Sequence, residues 1–377
     1  MSTTITLIAS LLALAYSLLI GFFTVGWFKK TRRESILQTE YPFISVIIPF
    51  RNEAPNLSLL IQNLKSQNYP AGKFEILFSD DFSNDNSTEI ITKEIGELLD
   101  FHLIQPHYNE KTGKKAAIER ALKKAGGDII VNSDADCNLG PEWLKSIGYE
   151  FRDPKLQMLL APVDIDESGK GIFSGFQSLE FMSLIGSTGG SANMGYPLMA
   201  NGANMAIRME TMLEIREKLE GKKLLSGDDM FLLQAVKKLY PEKIKFLKNR
   251  KAILKTKPAN TLKEFFLQRA RWSSKSTAYH DVFTIFAGSV VATINILIVL
   301  LFLGSFLNTL FLKALAILWF IKLVTDFPLL AGVARFMSKT KLLWLYVPLQ
   351  FIYPFYVTTT LLLAVFTKTT WKDRVQN

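Results

Sequence analysis

Asp134 and Asp136 lie two positions apart in DIIVNSDADC (residues 128–137), directly after the apolar triplet Ile129, Ile130, Val131. Two acids this close, with no base adjacent in the sequence, repel unless water, protons or a metal screens them. Asp and Asn are common turn formers, so a solvated turn is one reading of the pair. A divalent-cation site that holds a phosphorylated ligand is the other. Oxygen ligands suit magnesium or manganese, whereas His102, His107 and His280 show no spacing typical of a zinc site. Further polar signals interrupt apolar surroundings: Asn52-Glu53, Asp80-Asp81, Asn201-Gly202-Ala203-Asn204, Gly227-Asp228-Asp229 and the run QRARW from Gln268 to Trp272.

Such residues need elements to hold them. Residues 41–258 alternate between strand-like and helix-like stretches. Strands are expected over 43–50, 74–79, 101–105, 128–132 and 157–163, and helices over 54–67, 87–99 and 114–124. Asn86, with Glu89 three residues on, reads as a helix N-cap. Repeated βα units imply an α/β fold with a mainly parallel sheet and flanking helices. Ligands of such sheets collect beyond the carboxyl ends of the strands. Asn52-Glu53, Asp80-Asp81 and Asp134/Asp136 follow the first, second and fourth expected strands. Neither GxGxxG nor GxxxxGK[ST] occurs, which argues against a dinucleotide fold and a P-loop ATPase.

The chain has 377 residues, is 49% hydrophobic and carries a net charge of +10. Its apolar residues are unevenly spread. Thr3–Phe28, Val282–Leu312 and Leu342–Thr367 contain no charged residue, and a further apolar stretch at 307–334 is interrupted by Lys313, Lys322 and Asp326. A bilayer core about 30 Å thick needs roughly 20 helical residues to cross it. About four transmembrane helices are therefore expected, with a soluble middle. The first segment has no basic residue before its apolar run and no small-x-small cleavage pattern after it, as expected of an uncleaved anchor. Lys29, Lys30, Arg32 and Arg33 follow it at once, so the positive-inside rule puts the soluble region in the cytoplasm. The expected organisation is an anchor over 1–30, a soluble domain over 41–258, an interfacial helix over 259–280, a membrane region over 281–367 and a tail over 368–377. Phe176–Met199, rich in Gly, Ser and Met, is expected as a flap. A single cysteine, Cys137, agrees with a reducing compartment. The basic excess suits anionic lipid or a phosphorylated substrate, and nucleic acid is disfavoured for a chain already tied to a bilayer.

With these residues in order, the chain resembles the family 2 glycosyltransferases, inverting enzymes of the GT-A fold. The resemblance covers about residues 41–275 and rests on ISVIIPFRNE, FSDDFSND, the DAD run, an acidic pair where the family has Glu-Asp, and QRARW for QxxRW. It implies a nucleotide-diphosphate sugar donor, a UDP-sugar, and a Mn2+ or Mg2+ cofactor. Asp136 would ligate the metal, and Asp134 would contact ribose or sugar and share the ion. Asp81 matches the family's uracil-reading acid, with Pro49, Arg51 and Glu53 as the other wall and Lys111 and Lys114 near the diphosphate. Inversion needs a base for the acceptor hydroxyl. Asp229 aligns with the catalytic aspartate, and Asp228 stands where the family usually has Glu. Gln268 and Arg271 match the diphosphate-contacting pair, and Arg suits phosphate because its donors form a planar fork. Trp272 resembles the residue that borders the acceptor, and Asn201, Gly202 and Asn204 are expected to line the acceptor site.

Two kinds of enzyme fit this pattern: a transferase acting once on a membrane lipid or lipid-linked glycan, and a processive polysaccharide synthase. A non-catalytic membrane receptor or scaffold with a degenerate sugar-binding domain is the third alternative. The modest number of spans and the short tail favour single transfer, from the cytoplasmic side of a multi-pass protein of the cell (inner) membrane.

Overall fold

A computed structural model of the chain describes residues 2–30, 40–167, 171–218, 229–275, 279–366, 370–371 and 374–375. Along the chain, α1 (Ser2–Phe28) is followed by β1 (Ile44–Phe50), α2 (Ala54–Lys65), β2 (Phe74–Asp80), α3 (Ser87–Ile95), β3 (Phe101–Ile104) and α4 (Lys114–Leu122). Next come β4 (Ile129–Asn132), β5 (Asn138–Leu139), α5 (Trp143–Glu150), β6 (Met158–Leu160), β7 (Val163–Ile165) and α6 (Gly171–Asn193). The chain continues through β8 (Met205–Arg208), α7 (Met209–Lys218), α8 (Asp229–Leu239), β9 (Ile244–Phe246), β10 (Leu254–Thr256) and α9 (Leu262–Ser274). Three long helices follow: α10 (Val282–Ser305), α11 (Thr309–Phe336) and α12 (Tyr346–Phe366). These elements form two compact units, one from Lys30–Asp166 and Gly195–Lys257, the other from Met1–Lys29, Glu167–Met194 and Pro258–Asn377.

The first unit is built on a seven-stranded sheet in the order β3-β2-β1-β4-β8-β6-β9. All its pairs are parallel except those of β8, which runs antiparallel to β4 and β6. All seven residues of β1 and all four of β4 are buried. That explains their continuous apolar sequences, since a strand covered on both faces has no polar side to show. Helix α3 stops four residues before its expected end because Gly96 takes a left-handed φ of 52°. Asn86 does occupy its N-cap position but makes no side-chain cap bond. Asp85 does that work, accepting from the amides of Ser87 at 3.1 Å and Ala54 at 3.2 Å.

The strand expected over 157–163 is two strands in two sheets. Pro162 has no N–H to continue a ladder, and β7 leaves to join a small sheet of order β5-β10-β7. This second sheet matters for the site, because it brings β10 beside the DAD turn.

Among the described residues, the other unit contains four helices long and apolar enough to span a bilayer, with candidate spans Ala9–Phe28, Val282–Ser305, Thr309–Phe336 and Thr340–Phe366. Most of the stretch expected as a flap, residues 176–193, belongs here: it forms the greater part of α6, a mostly buried helix of 23 residues. Its small residues allow close packing rather than flexibility: a Cβ on Gly26 would strike the Gly190 carbonyl, and one on Gly190 would strike the backbone of Phe23. Lys322 and Asp326, which interrupt the third apolar stretch, face inward and pair at 2.5 Å. Tyr16 of α1 donates to Asp326 at 2.6 Å. Gln350 of α12 accepts from Lys322 at 3.1 Å and donates to Asp326 at 3.2 Å. Inside a bilayer a charge is tolerated in this arrangement, paired and turned away from lipid.

Candidate active site

The register aligns Phe50 with Asp80 and Ile47 with Asn132, so β1, β2 and β4 end side by side and their following turns share one edge. Arg51 donates through Nη1 to the carbonyls of Asp81 at 2.8 Å and Phe82 at 2.9 Å. Asn52 and Phe82 both take left-handed backbones, with φ of 52° and 56°. The two turns are stitched further by Asn52 N–H to Ser83 Oγ at 3.1 Å and Asn84 N–H to Asn52 Oδ1 at 2.9 Å. Two strained residues held this way are characteristic of a site that must keep its shape. Pro49 lies within buried β1. Arg51, expected in the nucleotide wall, spends these donors on backbone carbonyls.

Asp81 is fully buried, and its Oδ1 accepts from the Gly113 amide at 2.6 Å. Gly113 has φ of 104°, where a side chain would be strained, so this close approach requires glycine. The Lys111 side chain is exposed, while its carbonyl accepts from Arg120 Nη1 at 3.1 Å. Arg120 also donates to the Asp80 carbonyl at 2.5 Å and lies 3.6 Å from Glu110. Sequence reasoning missed Arg120. The available signal was its position on the Ala116/Ala117 face of α4, where a charged residue must find partners.

The DAD turn follows β4. Here the structure corrects the expectation of an unneutralised pair, since Lys114 at the start of α4 places Nζ 2.5 Å from Asp134 Oδ1. A base far from the acids in the local sequence reaches them because α4 packs beside the sheet edge. Asp136 accepts from Thr256 Oγ1 of β10 at 3.3 Å. Burial, then the negative charges of Asp134 and Glu53, push its carboxyl above the usual range, and Lys114 offsets part of that rise. A half-buried carboxyl surrounded by oxygen atoms and excess negative charge fits a hard divalent cation. Among the described residues no three His, Cys, Asp or Glu side chains converge into a self-sufficient cage. An ion here would therefore share its shell with ligand phosphates, as Mg2+ commonly does. Cys137 is buried, and burial pushes its thiol well up, so it is no nucleophile.

Asp229 is the first residue of α8. Its Oδ2 accepts from the Gly202 amide at 2.8 Å and its Oδ1 from the Met230 amide at 3.0 Å. The structure thus brings the NGAN turn and the base candidate together. A Cβ on Gly202 would come within 3.3 Å of that carboxylate oxygen. Asn201 Oδ1 accepts from the Ala203 amide at 3.0 Å. Asn204, also expected on the acceptor wall, spends its side chain on the protein itself. It is wholly buried, donates to the carbonyls of Pro162 at 2.7 Å and Ala252 at 3.0 Å, and accepts from the Trp143 indole at 3.0 Å. Its amide is a strut behind the turn. Asp228 lies outside the described residues.

Gln268, Arg271 and Trp272 lie on α9, in the unit that holds the membrane helices. The helix starts at Thr261, whose hydroxyl accepts from the Glu264 amide at 3.1 Å, while Glu264 reaches back to the Asn260 amide at 3.0 Å. All three expected residues are partly exposed. The buried charged member of the run is Arg269, paired at 2.6 Å with Glu180 of α6.

A largely parallel sheet with acids gathered at its carboxyl edge is the GT-A architecture of nucleotide-diphospho-sugar transferases. Residues 45–212 match the family described as Glycosyl transferase family 2, and residues 129–369 match Glycosyl transferase family group 2. The chain belongs to the family 2 glycosyltransferases. A solved structure of similar fold is the mannosyltransferase PcManGT from Pyrobaculum calidifontis in complex with GDP-Man and Mn2+. It is 17% identical, with a TM-score of 0.59 over 97% of this chain and 99% of that one. Similar in sequence are glycosyltransferase AglE of Haloferax volcanii, 33% identical over 28% of this chain and 34% of its own, and the beta-monoglucosyldiacylglycerol synthase of Trichormus variabilis, 26% identical over 39% and 32%. The undecaprenyl-phosphate 4-deoxy-4-formamido-L-arabinose transferase of Pectobacterium atrosepticum is 35% identical over 26% and 30%. The chain spans about a third of the length of these relatives.

Proposed function

We propose that this protein is an inverting glycosyltransferase that moves one sugar from a UDP-sugar to a lipid or lipid-linked acceptor, working from the cytoplasmic face of the cell membrane. The observation that carries this reading is the pair of carboxylate centres, Asp134/Asp136 and Asp229, in a family 2 chain with four candidate spans. Two of the relatives are named for lipid acceptors, which supports a lipid here over a growing polysaccharide.

In this reading Asp81 and the β1 turn hold the nucleoside, and Asp136 with Asp134 would hold Mn2+ or Mg2+. Bound there, the cation would act as a Lewis acid on the departing diphosphate; the fold neighbour with Mn2+ is in keeping with this. Lys114, already at Asp134, supplies further positive charge beside the diphosphate. Gln268 and Arg271 are assigned to the diphosphate on the family motif alone. Asp229 takes the proton of the acceptor hydroxyl as the oxygen attacks the anomeric carbon opposite the leaving group. The Gly202 and Met230 amides keep its carboxylate aimed while it does so.

The test is an assay of purified protein in detergent with UDP- and GDP-sugars, Mn2+ and a lipid extract, followed by mass spectrometry of the lipids. The expected product is a lipid heavier by one sugar with release of UDP. A ladder of products would point to the processive alternative, use of GDP-sugars alone would remove the uridine assignment, and no transfer with any donor would leave the receptor reading.

A further inference from the structure

We propose that Arg269, the second residue of QRARW, is a positioning residue that dictates which atoms Gln268 presents to its ligand. The Gln268 side-chain oxygen accepts from Arg269 Nη1. A guanidinium can only donate, so the amide of Gln268 must turn its oxygen to Arg269 and its NH2 away. Gln268 therefore offers hydrogen-bond donors outward, the polarity that an anionic oxygen requires. Without Arg269 the amide could present either end.

Arg269 can do this because it is itself immobile. It is 3% exposed and Glu180 is 4% exposed. Glu180 accepts from Nε at 3.3 Å and from Nη2 at 2.6 Å, with the Tyr356 hydroxyl of α12 as a further donor at 2.9 Å. The guanidinium carbon lies 4.6 Å from the ring centre of Phe265 and 4.4 Å from that of Trp272. The same side chain thus covers one side of the Trp272 indole while it orients Gln268. Lysine cannot reproduce a planar fork that donates on three sides and stacks between rings.

The inference rests on the assignment of Gln268 to the donor diphosphate, and the test separates the two. The full chain in detergent is titrated with whichever nucleoside diphosphate, UDP or GDP, the wild-type protein binds in Mn2+. Gln268→Ala should weaken that binding by about tenfold, as loss of a hydrogen bond to a charged group does. Arg269→Lys should weaken it by a similar factor. The double variant should be no weaker than the worse single one, because both changes remove the same oriented donor. In turnover, the donor KM should rise in all three by the factor by which binding weakens, with the acceptor KM unchanged in Gln268→Ala, which leaves the stack of Arg269 on Trp272 intact; general loosening of the fold would not match the donor KM to the loss in binding. Glu180→Gln keeps the shape and removes the charge, and it serves where Arg269→Lys does not fold; it too should raise the donor KM. If Gln268→Ala binds as wild type, the donor assignment of α9 fails and the inference falls with it. If Gln268→Ala weakens binding while Arg269→Lys and Glu180→Gln do not, or if the losses multiply, the positioning role alone is overturned.

Discussion

Asp136 and Asp134 have unequal surroundings, and that inequality has measurable consequences. Lys114 neutralises Asp134, whereas Asp136 lies among negative charge with a hydroxyl as neighbour. Chelation with EDTA is expected to abolish transfer, and Mn2+ or Mg2+ to restore it; undiminished activity in chelator would remove the metal from the mechanism. Asp136→Asn should raise the Mn2+ concentration for half-activation by more than about tenfold, since even outer-shell partners cost that much. At the second carboxylate, Asp229→Asn should slow transfer by about 10²–10⁴-fold while donor binding stays near wild type. Asparagine keeps one oxygen for the two amides of Gly202 and Met230, so a stability loss of about 1 kcal/mol should accompany it. Asp228→Asn should be milder, costing about 0.3–1 kcal/mol as a charge lost near a helix N-terminus. Calorimetry for binding and release of nucleoside diphosphate for turnover distinguish the two acids, and a dead Asp228→Asn beside an active Asp229→Asn would reverse the assignment.

Elements are held by buried polar residues whose loss should register as stability rather than chemistry. Asn204→Ala strands the Trp143 indole N–H and two carbonyls behind the NGAN turn. About 2–4 kcal/mol of destabilisation is expected, with the acceptor KM of the folded fraction unchanged. A raised acceptor KM at unaltered stability would return Asn204 to the acceptor wall. In the membrane unit, Lys322→Met leaves Asp326 charged among apolar helices, and the loss should reach about 3–5 kcal/mol. Combining it with Asp326→Leu removes both charges and should recover much of that loss. Unfolding curves in mixed detergent micelles report this directly, and a double variant worse than Lys322→Met would show that the pair is needed for more than mutual neutralisation.

At the scale of the whole molecule the question is which side of the bilayer the catalytic unit occupies. Lys29 and Lys30 follow α1 and begin a basic segment that continues into Arg32 and Arg33. Basic flanks of a span tend to stay in the cytoplasm, the side proposed for the donor. After Cys137→Ser removes the native thiol, Lys30→Cys should resist an impermeant thiol reagent in intact cells and react once the cells are opened. Labelling in intact cells would place the catalytic unit outside and separate it from its proposed donor.

The amino-acid sequence by itself determined the elements whose signals are local. The apolar runs of β1, β2 and β4, the turn acids after them, the four long apolar helices and the capped start of α9 all follow from neighbours within a few residues. Those signals, with five motifs in order, were enough to identify the family and to bring the proposed site residues to one edge of the sheet. Only the tertiary structure decided what depends on residues distant in sequence. Lys114 meets Asp134, Gly202 meets Asp229, and Thr256 meets Asp136 because the sheet order brings their elements together. The Gly-, Ser- and Met-rich stretch 176–199 lacks the periodicity of an amphipathic helix and reads as a flap, yet residues 176–193 belong to α6, where Gly190 lies against α1 and Gly186 against α11. Asn204 looks in the sequence like a residue facing a ligand, yet its side-chain partners lie at least 42 positions away, and Arg269, which the motif does not single out, is buried against Glu180, 89 positions away. A polar side chain carries no local mark of whether water, substrate or protein will satisfy it; that is settled by which distant groups the fold delivers to it.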